Sequence, residues 1–268
     1  MERLRQLKER VRRGGTGLIP YITAGDPDPE QTVRIMHALA DNGADVLELG
    51  LAFSDPVADG PVIQRAARRA LDHGIGIPRV LEMIREFRRQ SQIPVVLMGY
   101  MNPVFRYGPE AFVRDLSRAG GDGLIVADLP YEEGEQMEKS CARAGVSLIY
   151  LLAPEISSER TRRILASTRG FVYCLSQYST TGSGKTLKPE LKRAVHSIRE
   201  GTDLPVAVGF GVSSIKRAVA VSRYADAIVF GSWLISHLEK STDRPAAAAS
   251  FMKKLRSAVN GRGSESTI

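Results

Sequence analysis

Glu48 is the residue whose sequence setting best suits proton transfer. It lies inside the apolar run VLELG, residues 46–50, and strand alternation would place it on the same face as Val46. A carboxylate there is costly to bury, and burial raises its pKa until it can carry a proton near neutral pH. A structural carboxylate bonded to its neighbours is the alternative, and position alone does not separate the two.

Asp55 and Asp59 follow Glu48 in the polar segment SDPVADG, residues 54–60. A carboxylate on a loop that folds over a ligand can bind an N–H group and balance a developing positive charge. Aspartates beside proline and glycine are also common turn formers, so this second reading stays open.

Two glycine-containing segments suggest an anion site. VGFGVSS, residues 208–214, and FGS, residues 230–232, each follow an apolar run, and VGFGVSS leads into a helical pattern. Such loops expose backbone N–H groups, and barrels often bind phosphate in the loops after strands 7 and 8. Each glycine alone is explained equally by a turn requirement.

Other motifs carry less chemistry. GSGKT, residues 182–186, resembles the end of a phosphate-binding P-loop, but Ser179 stands where that motif requires glycine, so a polar lid is the better reading. The four histidines, His37, His73, His196 and His237, show no metal-ligand spacing, so no metal site is expected.

Composition limits the class of protein. The 268 residues are 43% hydrophobic and 25% charged, with a net charge of +7, which is typical of a globular protein. The basic residues are scattered, so we expect no nucleic-acid partner, and no apolar run is long enough for a membrane span. We expect no secretory signal, because residues 1–15 contain no apolar stretch, and two cysteines far apart in sequence suggest reduced thiols, so a cytoplasmic location is expected.

These residues need a scaffold of alternating strands and helices. The predicted strands are 17–23, 46–50, 94–100, 123–127, 147–152, 171–176, 205–208 and 227–230. The predicted helices are 2–12, 28–42, 62–73, 77–90, 109–119, 132–144, 158–168, 189–200, 214–222 and 245–259. Eight βα units without a linker predict an α/β fold, a single (β/α)8 TIM barrel over residues 1–260, with the extra helix 2–12 covering one mouth. A polar tail, 261–268, is expected to be disordered. Because barrel chemistry lies beyond the carboxyl ends of the strands, the acidic and glycine-rich segments should converge there.

Several segments resemble the α-subunit family of tryptophan synthases, from about Pro20 to His237. They are PYITAGDP (20–27), LELGLAFSDPVADGPVIQ (47–64), MGYMNP (98–103), GLIVADLPYEE (123–133), APEISSER (153–160) and GFG (209–211). The match over 47–64 is long and specific.

The resemblance implies a lyase of tryptophan biosynthesis that cleaves indole-3-glycerol phosphate to indole and glyceraldehyde 3-phosphate by a retro-aldol reaction, without a cofactor in this chain. It implies that Glu48 protonates indole C3 and manages the glycerol hydroxyl proton. It also implies that Asp59 binds the indole N–H and stabilises the indolenine-like cation. The implied substrate-binding positions are Tyr21, Tyr100, Tyr173, Thr181, Gly182, Phe210, Gly211, Ser213, Gly231 and Ser232.

The resemblance further implies a partner, a tryptophan synthase β subunit that holds pyridoxal phosphate and receives indole through a tunnel in an α2β2 assembly. Asp55, Asn102, Pro103 and Pro130 match positions near that interface.

Three departures from the family pattern leave alternatives open. Ala52 replaces a proline, Gln177, Ser179 and Thr180 alter the loop after strand 6, and Trp233 replaces a small residue beside the expected phosphate. Trp233 either points inward and alters that site or packs outward under a short helix. The alternatives are a free-standing indole-3-glycerol-phosphate lyase, a weakly active barrel that mainly binds and activates a β subunit, and another phosphate-handling barrel enzyme.

Overall fold

The computed structural model describes residues 2–153, 158–176, 189–209 and 211–261. The strands in this part of the chain are β1 Gly17–Thr23, β2 Leu47–Gly50, β3 Val95–Gly99, β4 Gly123–Val126, β5 Ser147–Leu148, β6 Leu151–Leu152, β7 Val172–Leu175, β8 Val206–Gly209 and β9 Ala227–Phe230. All of their pairings are parallel, and nearly every strand residue is buried, as expected for a sheet covered on both faces.

Helices surround this sheet. They are α1 Arg5–Arg12, α2 Pro29–Asp41, α3 Pro61–Asp72, α4 Ile77–Arg88, α5 Met101–Tyr107, α6 Pro109–Ala119, α7 Glu135–Ala144, α8 Ser158–Ser167, α9 Pro189–Glu200, α10 Ile215–Val221, α11 Ser232–Leu238 and α12 Arg244–Asn260. The alternation of strands and helices confirms the predicted (β/α)8 barrel architecture. None of the described helices is long and apolar enough to cross a membrane.

The predicted strand 147–152 is divided in two. The sheet order is β5-β4-β3-β2-β1-β9-β8-β7-β6, so the ends of the ladder are the two pieces of this one stretch. Ser147 and Leu148 pair with β4, whereas Leu151 and Leu152 pair with β7. The chain changes partners between the two pieces and thereby joins the two edges of the curled sheet.

Two helices were not predicted from the sequence. Both α5 and α11 have seven residues and begin without a capping side chain, whereas the equally short α10, which was predicted, begins after the cap Ser214. Local contacts bound α5: the Asp128 carboxylate accepts a hydrogen bond from the Met101 N–H at 2.7 Å, and Gly108, with φ of +94°, ends the helix.

The amino-terminal helix covers one barrel mouth, as the sequence predicts. Leu4 and Leu7 are buried among inward-facing strand residues, and Leu7 lies so close to Gly17 that a side chain there would overlap it. Arg3 forms an ion pair with Asp122 at 2.8 Å, and Arg10 forms one with Asp45. These contacts place α1 at the amino-terminal ends of the strands.

Three aspartates support that same end of the barrel. Asp45, Asp122 and Asp226 each lie within two residues of a strand start. Their carboxylates accept hydrogen bonds from the backbone N–H groups of Leu18, Val95 and Val206, at 2.8, 2.9 and 2.9 Å. An arginine on a surrounding helix pairs with each one, namely Arg256, Arg88 and Arg199. These contacts tie helices to the strand starts at the end opposite the predicted chemistry.

Candidate active site

Glu48 lies at the centre of the barrel on β2, in register with Tyr21 of β1. It is only 1% exposed, and its Oε2 has no hydrogen-bond partner among the described residues. Desolvation, followed by the nearby charge of Asp59, raises the pKa of Glu48 to about 8. The side chain is therefore a protonated acid at neutral pH with one oxygen uncommitted to the protein.

Asp59 reaches the same cleft from the loop before α3. Its N–H donates to the Pro56 carbonyl at 3.0 Å, and its own carbonyl accepts from the Gln64 side-chain amide at 2.8 Å, so the backbone is held on both sides. The side chain is 8% exposed. Desolvation raises the pKa of Asp59 to about 6, although a hydrogen bond from Tyr100 opposes the shift. Asp59 is therefore mostly ionised at neutral pH.

Tyr100 links β3 to this loop. Its hydroxyl accepts a hydrogen bond from the Ala58 N–H at 3.1 Å, and its interaction with the Asp59 carboxylate lowers the pKa of that group. The ring lies 5.4 Å from that of Phe53, between centroids. The sequence resemblance assigned Tyr100 to substrate binding; the structure places it against Asp59 and the loop backbone.

Two buried tyrosines flank Glu48. Tyr21 packs so closely on Gly50 and Gly231 that a Cβ at either glycine would collide with the ring or hydroxyl, and Tyr173 stands in the same relation to Gly209. Burial, with the nearby carboxylates, raises the pKa of both tyrosines well above 10. Both hydroxyls therefore keep their protons and act as neutral hydrogen-bonding groups.

These side chains open into a cleft. Glu48 and Asp59 share it with the two tyrosines and with four aliphatic side chains, those of Ile63, Met98, Val212 and Val229. The sequence analysis had not selected the aliphatic wall; Ile63 belongs to an amphipathic helix, and its apolar character was indistinguishable from ordinary core. A flat apolar ring fits between such walls, with the two carboxyl groups at its edge.

The other end of the cleft is formed by backbone. Gly211, with φ of +100°, together with Val212, Gly231 and Ser232, lines it. No described residue accepts a hydrogen bond from the N–H of Val212 or Ser232. Uncommitted amides beside the carboxyl ends of β8 and β9 can bind an anion.

The structure thus brings most of the predicted site together. Tyr21, Tyr173, Gly211, Gly231 and Ser232 line the cleft with both carboxylates. Ser213 is exposed and accepts a hydrogen bond from Arg217 at 3.0 Å. Thr181, Gly182 and Phe210 lie outside the described residues, as do Gln177, Ser179, Thr180 and the GSGKT segment. In the described ranges, no group of three or more His, Cys, Asp or Glu side chains could hold a metal ion.

The four residues assigned to a partner interface lie beyond the carboxyl ends of β2, β3 and β4, which are neighbours in the sheet: Asp55 and Pro130 on loops, and Asn102 and Pro103 in α5. Asp55, Asn102 and Pro130 are exposed, and Pro103 is half-buried. Two exposed apolar side chains in these segments were not selected from the sequence: Val57, on the loop after β2 and 78% exposed, and Phe105, in α5 and 71% exposed. An apolar residue left exposed beside a cleft is a signal that only the structure gives.

Two of the departures from the family pattern have structural outcomes. Trp233 packs outward under α11, with its ring 4.5 Å from that of Phe251 on α12, so the inward alternative does not apply. Ala52 is half-buried against the outer core. Neither Ala52 nor Trp233 lines the cleft.

Comparisons with known proteins agree with this geometry. The family model described as tryptophan synthase alpha chain matches residues 6–261. A tryptophan synthase alpha chain from Polynucleobacter necessarius is 45% identical over 256 residues, 94% of this chain and 97% of the relative. One from Burkholderia thailandensis is 46% identical over 252 residues, 93% of each chain.

Solved structures are similar over the same length. The tryptophan synthase alpha subunit of Legionella pneumophila has a TM-score of 0.89 and 40% identity, covering 97% of this chain and 99% of that one. A chain of the tryptophan synthase of Mycobacterium tuberculosis, in an aminoacrylate-bound form, has a TM-score of 0.86 and 32% identity, covering 96% and 99%.

Proposed function

Because the chain belongs to the tryptophan synthase alpha chain family, we propose that its cleft uses Glu48 and Asp59 for the lyase reaction of that family. The enzyme cleaves indole-3-glycerol phosphate to indole and glyceraldehyde 3-phosphate, a step of tryptophan biosynthesis. One observation carries the assignment of residues: Glu48 is a buried, protonated acid with an uncommitted oxygen, in the same cleft as an ionised aspartate.

The proton balance of the reaction needs only one such acid. Glu48 gives its proton to C3 of the indole ring, which becomes an indolenine cation. The resulting carboxylate takes the proton of the glycerol hydroxyl next to the ring. The carbon–carbon bond then breaks, its electrons return to the ring, and the hydroxyl carbon becomes the aldehyde of glyceraldehyde 3-phosphate. Glu48 ends protonated again, so no cofactor is required for this step.

Asp59 stabilises the cationic stage. The indole nitrogen becomes positively charged when C3 is protonated, and an ionised carboxylate at its N–H lowers the energy of that species. The pKa of about 6 supports this role, because Asp59 is ionised at the pH at which Glu48 still holds its proton. Their environments thus give the two carboxyl groups different pKa values, so that at neutral pH Glu48 is a protonated acid and Asp59 is an anion.

The phosphate is proposed to bind at the backbone end of the cleft. Gly211, Gly231 and Ser232 form this end, and Ser213 lies beside it. The sequence resemblance adds Thr181, Gly182 and Phe210, which would complete the site from the loops after β7 and β8.

The family implies a tryptophan synthase β chain as partner. We propose an α2β2 assembly in which Asp55, Asn102, Pro103 and Pro130 face that chain, with pyridoxal phosphate bound by the β chain. The exposed side chains of Val57, on the loop after β2, and of Phe105, in α5, support this face. We also propose a cytoplasmic location, since the two buried thiols, Cys141 and Cys174, are unpaired.

Indole release from indole-3-glycerol phosphate, with and without an added β chain, tests this function. We expect turnover by the chain that the β chain stimulates. Fast turnover that the β chain leaves unchanged would favour a free-standing lyase. Negligible turnover in both cases, together with tight β-chain binding, would favour a barrel that mainly activates its partner.

A further inference from the structure

We infer that Arg217 is a positioning residue for the phosphate of the substrate, which it serves by orienting the peptide between Gly211 and Val212. The inference rests on the proposed function, because it assumes a phosphorylated ligand at the backbone end of the cleft. It adds a side chain on α10 to a site otherwise described by loop backbone.

Arg217 is tied to this loop by two hydrogen bonds from one nitrogen. Its Nη1 donates to the Gly211 carbonyl at 2.9 Å and to the Ser213 hydroxyl at 3.0 Å. Its own position is fixed by the start of the helix, where the Ser214 hydroxyl accepts from the Arg217 N–H at 3.3 Å. The side chain is half-buried. The start of α10 therefore places the Arg217 guanidinium against the residues before and after Val212.

The hydrogen bond to the Gly211 carbonyl also fixes the direction of the Val212 N–H. In a trans peptide the carbonyl and the N–H point in opposite directions. The Gly211 carbonyl is bonded to the guanidinium, so the N–H of Val212, in the same peptide unit, points away from it. That N–H has no acceptor among the described residues, and Val212 lines the cleft. Arg217 thus holds a free donor in the orientation that an anion in the cleft would need.

Because residue 211 is a glycine, the peptide between Gly211 and Val212 keeps one orientation only if another group restrains it. Its φ of +100° lies in the region that only glycine adopts easily, and a glycine is free to take other conformations. A guanidinium that binds its carbonyl and the hydroxyl two residues later restricts that freedom. The positive charge also lies at the loop that is proposed to meet the phosphate dianion, where it favours anion binding.

The sequence alone gave no reason to select Arg217. It is one of 37 Lys and Arg residues, and an arginine in a helix usually faces solvent. Its neighbour Lys216 is exposed and carries the same charge on the same helix. Lys216→Gln is therefore a matched control for the loss of one positive charge near this end of the barrel.

The test measures phosphate binding separately from chemistry. sn-Glycerol 3-phosphate, which has the phosphate but no indole, is titrated calorimetrically into the wild type, Arg217→Gln, Arg217→Lys and Lys216→Gln. We expect Arg217→Gln to weaken binding about 3- to 10-fold, as for one charge-assisted hydrogen bond at a partly exposed site. Arg217→Lys should weaken it less, because the charge is retained, and Lys216→Gln should change it less than about twofold. In steady-state kinetics with indole-3-glycerol phosphate, Arg217→Gln should raise KM by a similar factor and change kcat less than about twofold.

Either of two binding results would overturn the inference: no effect of Arg217→Gln on glycerol 3-phosphate binding, or an equal effect of Lys216→Gln. A wild type that does not bind the probe would overturn it as well. The proposed function is judged by a different measurement, indole release by the wild type. Loss of binding in Arg217→Gln without any indole release would refute the function and leave the role of Arg217 in phosphate binding intact.

Discussion

The hydroxyl of Tyr100 accepts a hydrogen bond from the backbone N–H of Ala58 at 3.1 Å. This contact joins the end of β3 to the loop after β2, immediately before Asp59. The same side chain lowers the pKa of the Asp59 carboxyl, so it acts on both the backbone and the charge of the proposed cation-stabilising group. A rigid strand thus positions a residue that the chain places on a loop.

Tyr100→Phe should remove both of these contacts while preserving the ring. We expect kcat/KM for indole-3-glycerol phosphate to fall about tenfold, the effect of losing about one to two ordinary hydrogen bonds. The acid limb of the pH profile should also move to higher pH. The reason is that the Tyr100 hydrogen bond lowers the pKa of Asp59, which lies at about 6, and Asp59 must be ionised to act.

The matched control is Tyr107→Phe, which removes a hydroxyl that donates to Asp115 at 3.0 Å outside the cleft. Its pH profile and kcat/KM should match those of the wild type. An unshifted acid limb in Tyr100→Phe would show that Tyr100 does not act through Asp59. Titration of the substrate phosphate is common to all three proteins and cancels in the comparison.

Glu48 should make the folded protein less stable at alkaline pH. Burial, and then Asp59, raises its pKa from 4.5 to about 8, so the folded state binds this proton more tightly than the unfolded chain. Its contribution to the free energy of unfolding is complete below about pH 4.5 and is lost as the pH rises through about 8. Glu48→Gln cannot titrate, so its melting temperature should exceed that of the wild type at pH 9 by a margin that disappears near pH 4.5.

Thermal melts of the two proteins from pH 4.5 to pH 9 measure this difference. Glu133→Gln, at an exposed carboxylate, should melt like the wild type throughout. A constant offset between wild type and Glu48→Gln across the whole range would mean that Glu48 does not titrate in this window.

The amino-terminal helix should contribute to stability and not to chemistry. Leu7 is fully buried at the mouth opposite the cleft, so Leu7→Ala should lower the free energy of unfolding by about 2–5 kcal/mol. The kcat of folded protein should stay within about twofold, because the cleft is formed at the other ends of the strands. Urea titration measures the first quantity, and Arg5→Ala, at an exposed position of the same helix, is the control. A large loss of kcat in folded Leu7→Ala would show that the two ends are coupled.

Trp233 should act in packing and not in phosphate binding. Its ring contacts Phe251 of α12 at 4.5 Å and Phe230 at 6.3 Å, on the outer side of β9. Trp233→Ala should therefore destabilise the protein by about 2–3 kcal/mol, somewhat less than a fully buried aromatic. The KM for indole-3-glycerol phosphate should stay within about twofold. A KM rise comparable to that of Arg217→Gln would place the indole ring of Trp233 beside the phosphate after all.

Sequence patterns indicated candidate site residues at positions where the residue type conflicts with its sequence surroundings. A glutamate inside VLELG and an aspartate in the loop that follows are visible without coordinates, because a charged group in an apolar strand needs an explanation. The strands were predicted from continuous apolar runs, which are typical of a parallel sheet covered on both faces. The one strand that was wrong, 147–152, is divided by the closure of the barrel, which depends on pairing between distant strands.

These sequence patterns do not predict contacts between elements that lie far apart in the chain. The Tyr100–Ala58 bond depends on β3 lying beside β2, and nothing local to either residue indicates it. In the sequence Arg217 is an ordinary helix arginine, and only its hydrogen bond to the Gly211 carbonyl distinguishes it. The helices α5 and α11 are short and begin without a capping side chain, so neither a long apolar period nor a cap marks them in the sequence.

The central claim is that Glu48 carries the proton and Asp59 stabilises the cation. Indole release from indole-3-glycerol phosphate in the presence of the β chain, measured for the wild type, Glu48→Gln and Asp59→Asn, tests it most directly. Glu48→Gln keeps the shape of the side chain and removes the proton, so turnover should fall at least about 100-fold, the usual contribution of general acid–base catalysis. Asp59→Asn should also cut turnover strongly, with little change in melting temperature. Turnover in Glu48→Gln close to that of the wild type would contradict the mechanism.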